Sequence, residues 1–284
     1  MSALKTGLVM EGGAMRGMFT CGVIDTLMEH DISFDGAIGI SAGAVFGCNY
    51  QSRQIGRAIR YNLAYCRDPR YCSLRSYLKT GDLYGVDFCY HEIPDRLDPF
   101  DRKAFRENPM DFFVGATDVA TGKPVYHLCR NGEAHDMLYF QASASMPFVS
   151  RKVEVDGLQL LDGGISDPVP YAFMQKKGYD RLVLILTQPR GYRKKSSALG
   201  GVFRAALRKT PKLAEAMAGR PELYNRQMEE IDSLEASGQA LVIRPPAALQ
   251  IGHTEHDPRQ LQRVYDIGRE VAMQRLKDIT KYLV

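Results

Sequence analysis

Long apolar runs are missing from this sequence. Its longest aliphatic stretch is "LVLIL" at 182 to 186, far short of the roughly 20 residues that a spanning helix needs, so any membrane contact is expected to be peripheral. The stretch "MSALKTGLVMEGGAMRG" also lacks the apolar segment of roughly 7–15 residues that a secretory signal uses. The six cysteines, at 21, 48, 66, 72, 89 and 129, include no CxxC pair, and a chain of this size needs no disulfide staples. Reduced thiols and a cytoplasmic setting are the expectation. A charge excess is missing too: 37 basic residues against 33 acidic ones give +4, and nothing global calls for a nucleic-acid partner. Internal repeats and low-complexity tracts are absent.

What is present suits one large globular domain, since 284 residues that are 45% hydrophobic can bury a sizeable core. "TGLVM" (6–10) reads as a buried strand, "GMFTCGVIDTLMEH" as a helix with Phe19, Val23, Ile24 and Leu27 on one side, "FDGAIGI" (34–40) as a second strand, and a second helix starts at about Ala42. Strand, loop, helix, strand, loop, helix points to a three-layer α/β/α fold with a mostly parallel central sheet. Further strands are expected at 111–119, 123–128, 158–162, 181–188 and 240–245, with helices at 56–66 and 136–145. An Asp-capped amphipathic helix should run over 257–283, carrying Leu261, Val264, Tyr265, Ile267, Val271, Met273 and Leu276. The core is placed at about 6–190, with a basic segment (190–212) and C-terminal helices (213–284) as an appendage to a single domain spanning 1–284.

Three loops carry chemistry. "EGGAMRG", Glu11 to Gly17, joins the first strand to the first helix, where outward-pointing N–H groups and glycines admit an anion: a phosphate or a catalytic oxyanion. As a dinucleotide fingerprint it is poor, because Ala14 stands where the middle glycine belongs. "GISAG" places Ser41 between Gly39 and Gly43 at a strand-to-helix junction. A nucleophilic serine there takes unfavourable backbone geometry and crowds its neighbours two residues away, so both should be glycine. "LQLLDGGISDPVP" delivers Asp162 onto Gly163 and Gly164. That is either a base at a strand end with space cleared beside it or an ordinary acidic turn.

In this order the three loops resemble the patatin-like phospholipase family over roughly residues 6–190. The resemblance implies hydrolysis of lipid acyl esters by a serine–aspartate dyad on a parallel α/β sheet, with no histidine, metal or other cofactor. Carried over by position, Ser41 is the nucleophile, Asp162 its proton acceptor, and Gly12, Gly13 and Ala14 the oxyanion hole, with Arg16 and Gly17 completing the loop. The chain departs from the family pattern at Glu11, usually aspartate, and at Ala14, usually glycine. An alanine keeps its N–H, but a left-handed backbone would cost it roughly 1–2 kcal/mol.

Of the six histidines, His30, His91, His127 and His135 sit at helix, loop or strand ends. His253 and His256 follow Ser41 and Asp162 in the order of an α/β-hydrolase triad. Ser41, however, follows only two strands, too early for that fold, and the dyad is the simpler reading. Glu229, Glu230 and Asp232 read as a solvated helix face. Residues 189–212 hold Arg190, Arg193, Lys194, Lys195, Arg204, Arg208, Lys209 and Lys212 without an acid, which suits either a basic amphipathic lid on an anionic lipid surface or an ordinary solvated helix. Met146, Pro147 and Phe148 are expected either to line an acyl pocket or to join the core. A non-catalytic lipid- or acyl-binding protein with an impaired oxyanion loop is the alternative from another class.

Overall fold

The computed structural model describes residues 4–195 and 200–284. In chain order its elements are β1 (Thr6–Met10), α1 (Gly17–Glu29), β2 (Gly36–Ile40), α2 (Ala42–Gln51), α3 (Arg57–Tyr65) and α4 (Leu74–Thr80). A π-helical stretch, Phe88–Leu97, leads to α5 (Arg102–Glu107), β3 (Asp111–Asp118), β4 (Pro124–Cys129), α6 (Ala134–Ser143), β5 (Val153–Val155) and β6 (Leu158–Asp162). The chain ends with α7 (Tyr171–Lys176), β7 (Arg181–Ile185), α8 (Gly200–Ala206), α9 (Pro211–Ala236), β8 (Ala240–Ile243) and α10 (Pro258–Leu283).

The strands form one sheet ordered β5-β6-β3-β2-β1-β7-β8, with β4 also paired to β3. From β3 to β8 every pairing on that path is parallel; β4, β5 and β6 are antiparallel additions. Side chains alternate across the pleat, so Leu8 and Met10 enter the core shared with α1 and α2, while Val9 faces the opposite layer of Met174 from α7 and Tyr224 and Met228 from α9. Both faces are covered, which is why β2 is buried over its whole length and reads as a continuous apolar run. The expected three-layer α/β/α arrangement is the one observed.

The first helix differs from the one-sided pattern expected. Every residue from Gly17 to Met28 is buried, because α10 covers the face that the sheet leaves open. The two helices touch backbone to backbone: a Cβ on Gly22 would lie 2.1 Å from the Tyr265 carbonyl oxygen, and one on Gly268 2.1 Å from that of Phe19. The true contact stripe of α10 therefore runs through Gly268 and Ala272, and Met273 is half exposed. Asp257 caps α10 as expected, accepting from the Arg259 amide at 3.0 Å. Past residue 190, β8 extends the sheet beside β7, α9 lies on its far face and α10 closes the near one.

Candidate active site

At the end of β2 the chain must turn at once into α2, and Ser41 absorbs the turn with φ 53° and ψ −121°, a sparsely populated region that costs about 1–3 kcal/mol for a residue with a Cβ. Its neighbours make the turn sterically feasible. A Cβ on Gly39 would sit 2.3 Å from the Gly43 carbonyl oxygen, and one on Gly43 2.3 Å from that of Met10. The Ser41 amide donates to Ser143 Oγ at 2.8 Å, and Ser143 Oγ donates to the Gly115 carbonyl at 2.6 Å. The elbow is thereby pinned to the middle of the sheet.

Asp162 arrives from the other direction. β4 occupies one side of β3 along 112–117, so β2 and β6 share the other, with Ile40 opposite Gly115 and Asp162 opposite Ala116. The two strands run toward each other, and the side chains that end them meet at adjacent rungs. A Cβ on Gly163 would strike the Gly115 carbonyl at 2.3 Å, which accounts for the first glycine after the aspartate. The Gly164 amide donates to Asp162 Oδ1 at 2.7 Å, Thr117 Oγ1 holds the Asp162 carbonyl at 2.8 Å, and the Asp162 amide donates to the Ser145 carbonyl at 2.9 Å. Burial pushes the Asp162 carboxyl above its usual range; the Ser41 hydroxyl, the Arg220 charge and the Gly164 amide oppose this. Its Oδ2 is buried with no partner of full hydrogen-bond geometry, an arrangement that favours taking up a proton.

The Glu11–Gly17 loop lies against this pair. A Cβ on Gly12 would be 2.8 Å from Ser41 Cβ. Gly13 leaves room for the Arg16 guanidinium, whose Nη2 would be 3.1 Å from a Cβ there, and Gly17 lets α1 begin against the Phe46 ring, whose Cδ2 would be 2.8 Å from a Cβ at that position. Among the described residues, the Gly12, Gly13 and Ala14 amides donate to no protein acceptor. Ala14 adopts φ 49°, the left-handed geometry that a glycine would take without strain. Glu11, the other departure, is buried. Its Oε2 accepts from the Thr187 amide at 2.6 Å and from Thr187 Oγ1 at 3.2 Å, so the longer acid tethers the loop to the end of β7.

Beside Ser41 opens a cavity of about 470 Å³ lined mainly by apolar groups, among them Ala14, Val45, Phe46, Tyr90, Met146 and Pro147. His253 also lines it, and its imidazole is held below the usual value by burial and by the charges of Arg16, Arg220 and Lys194. No histidine hydrogen-bonds to Ser41 or Asp162 among the described residues. His127 and His135 are engaged elsewhere, by Asp136 and Asp156 at 2.8 and 2.9 Å. With His135 and Asp136, His127 forms a group of metal-ligand type, but Asp136 Oδ2 already accepts three backbone amides.

The model of the patatin-like phospholipase family matches residues 8–174. The chain belongs to that family. A second model, the domain of unknown function DUF6363, matches residues 210–284. Among similar proteins, the uncharacterized protein YjjU of Escherichia coli (strain K12) is 30% identical over 195 residues, 65% of this chain and 52% of that protein. The uncharacterized NTE family protein Rv1063c of Mycobacterium tuberculosis (strain H37Rv) is 27% identical over 171 residues, 60% of this chain and 46% of its own length. Lysophospholipase nte1 of Aspergillus oryzae is 24% identical over 298 residues, 97% of this chain and 18% of that protein. The chain thus spans about half the length of the first two relatives. VipD from Legionella pneumophila superposes with a TM-score of 0.48 at 13% identity, over 96% of this chain and 67% of that one.

Family motifs do not account for the whole site. No motif marks Ser143 as the bolt behind the elbow, although it lies three residues before Met146 in the segment expected to line a pocket or join the core. Phe148 lines no part of the cavity; it is half exposed and stacks on Phe203, with centroids 6.2 Å apart. Of the acidic face, Glu229 and Glu230 are exposed as expected, although Glu230 also accepts from Tyr171, whereas Asp232 is half-buried and pairs with Arg244 at 3.0 Å and Arg190 at 3.7 Å. The basic segment divides accordingly. Arg190 and Arg193 are tied to α9, Lys194 lies over the Tyr224 ring, Arg204 and Arg208 remain exposed, and positions 196–199 lie outside the described residues.

Proposed function

We propose that the protein is a serine acyl hydrolase acting on lipid esters, of the phospholipase A or lysophospholipase type, and that Ser41 and Asp162 are its catalytic pair. The observation that carries this reading is the strained serine elbow beside a buried carboxylate, with unengaged loop amides on one side and an apolar cavity on the other. A serine hydroxyl is a weak nucleophile until a base removes its proton. Asp162, kept from easy ionisation by burial, accepts the proton as Ser41 Oγ bonds to the ester carbonyl carbon. The amides of Gly12, Gly13 and Ala14 receive the negative charge on the carbonyl oxygen, which is worth roughly 2.7–4 kcal/mol for each well-placed donor. The carbon–oxygen bond to the alcohol then breaks, the proton passes from Asp162 to the departing alkoxide, and the acyl group stays on Ser41. Water, deprotonated by Asp162, bonds to the acyl carbon, the bond from that carbon to Ser41 Oγ breaks, and the proton passes from Asp162 to Ser41 Oγ, which frees the fatty acid and restores the serine.

Peripheral contact with a lipid surface belongs to the same reading. α4 buries none of its residues, and Leu74 and Leu78 project one turn apart, both well exposed. Tyr77 Oη donates to the Phe148 carbonyl at 2.9 Å, which ties this helix to exposed Phe148 and, next in the chain, to Val149, exposed and lining the cavity. Arg75 and Lys79 flank the leucines and Arg204 lies on α8, a pattern suited to an anionic interface.

A fluorophosphonate probe tests the chemistry. Wild type is expected to be labelled on Ser41 and to hydrolyse acyl esters, and Ser41→Ala to do neither. Absence of both labelling and turnover in the wild type would leave the lipid-binding alternative standing.

A further inference from the structure

Three cations from three separate segments converge on the catalytic loops without a carboxylate of their own. Arg16 comes from the first loop, its guanidinium packed over Gly13 and its Nε buried with no partner. Arg220 comes from α9, donating from Nε to the Gly164 carbonyl at 2.6 Å. Lys194 precedes α8; its main chain is clamped by Asn225 at 2.8 and 2.9 Å, and its ammonium sits 4.1 Å from the Tyr224 ring centroid. None of the three forms an ion pair among the described residues. The nearby acids are committed, Glu11 to Thr187 and Asp162 to the Gly164 amide. Burial, with the Arg220 charge next, lowers the Lys194 ammonium to about 7, while Glu11 and Asp162 work against this. The same three charges act on His253 at the cavity mouth. Gathering like charges in a partly buried place is unfavourable until an anion joins them.

We propose that Lys194 and Arg220, assisted by Arg16, form a phosphate-binding site at the mouth of the acyl cavity. The site rests on the hydrolase reading and narrows it to phosphorylated acyl esters. Guanidinium groups match phosphate oxygens in geometry as well as charge. In a glycerophospholipid the phosphate and the acyl ester share one three-carbon unit, so a headgroup site must adjoin the catalytic pair; Arg220 reaches Gly164, which lies against Asp162 Oδ1, and Arg16 reaches Gly13, next to the Gly12 that packs on Ser41. Two of the three cations lie beyond residue 174, where the family model ends, and Arg220 falls in the segment matched to the domain of unknown function. That segment thus supplies substrate recognition to the hydrolase core.

The test is binding to full-length Ser41→Ala by calorimetry, which needs no turnover. Three probes are compared: a lysophospholipid, the monoacylglycerol of the same chain, and inorganic phosphate. Adding Lys194→Gln or Arg220→Gln is expected to weaken the lysophospholipid about tenfold or more, to change the monoacylglycerol less than about twofold, and to be partly rescued by Arg220→Lys. Phosphate alone binding as tightly as the lysophospholipid, with the same dependence, assigns the site to free phosphate; weak binding of phosphate alone assigns it to the headgroup. Equal weakening of both lipids, or of neither, overturns the phosphate site. Failure of the hydrolase reading is seen separately, as an unlabelled and inactive wild type.

Discussion

At the scale of single residues, two side chains carry opposite kinds of strain. Asp162 is buried with its carboxyl raised above the ordinary range, so ionisation costs the folded state more than the unfolded one. Stability from this group is fully present below the unfolded value of about 3.9 and is lost as pH rises through the higher folded value. Asp162→Asn should therefore raise the melting temperature at neutral pH relative to wild type and leave it little changed in acid. The same replacement removes the base and should lower ester turnover by roughly 10²–10⁴-fold. A wild-type acid limb of kcat/KM at or below about pH 4, or full activity in Asp162→Asn, would end the dyad mechanism and return attention to His253. Ala14 carries conformational strain instead, at φ 49°. Ala14→Gly relieves the Cβ clash but frees the unfolded chain by about 0.4–1 kcal/mol, so stability should shift by no more than about 1 kcal/mol, with turnover retained. Ala14→Val puts a branched side chain at the same dihedral and should cost about 1–3 kcal/mol along with much of the turnover. Equal melting temperatures and rates for both variants would show that loop conformation does not matter.

Elements show where the sequence was legible and where it was not. Strands covered on both faces announce themselves as apolar runs between turn residues, so β1 and β3 could be read almost to the residue, and β2 and β7 to within two or three residues at one end. The helix after each of the first two was equally plain. Register between distant strands leaves no such mark. Nothing local to "LQLLD" says that β6 runs antiparallel into the line of β2 and puts Asp162 opposite Ala116; only the family likeness brought Asp162 to Ser41. Helix faces misled for a related reason. Periodicity places large side chains, whereas the crossing of α1 and α10 is fixed by what is missing, at Gly22 and Gly268. Gly268→Ala tests this directly. Its methyl would meet the Phe19 carbonyl oxygen at 2.1 Å, an overpacking that should cost about 1–3 kcal/mol or more, measured by urea denaturation. A loss no larger than that of Gly219→Ala, whose added carbon would meet nothing within 4 Å, would mean that the helices can part without penalty.

For the molecule as a whole, the proposed hydrolysis of lipid esters requires the cavity mouth to face the lipid, and one group of exposed apolar side chains suits that proposal. The exposed leucines of α4 are tied through Tyr77 to Phe148, which stacks on Phe203 of α8 and precedes the cavity-lining Val149, and Arg75, Lys79 and Arg204 lie on the same two helices. No helix among the described residues is long and apolar enough to cross a membrane; the proposed attachment through this side rests on shallow burial plus attraction to anionic lipid. Each leucine taken out of water contributes about 1.5–3 kcal/mol, and replacing both removes that gain while adding charge that anionic lipid repels. Leu74→Asp with Leu78→Asp should therefore lower partitioning onto vesicles containing anionic lipid by at least about 100-fold. Turnover of a soluble short-chain ester should be unchanged, because neither leucine lines the cavity. Raised salt should weaken wild-type binding by screening without abolishing it, since the apolar share is not screened. Co-sedimentation of the double variant at the wild-type level would mean that the molecule approaches lipid by another side, and that the exposed leucines have a different partner.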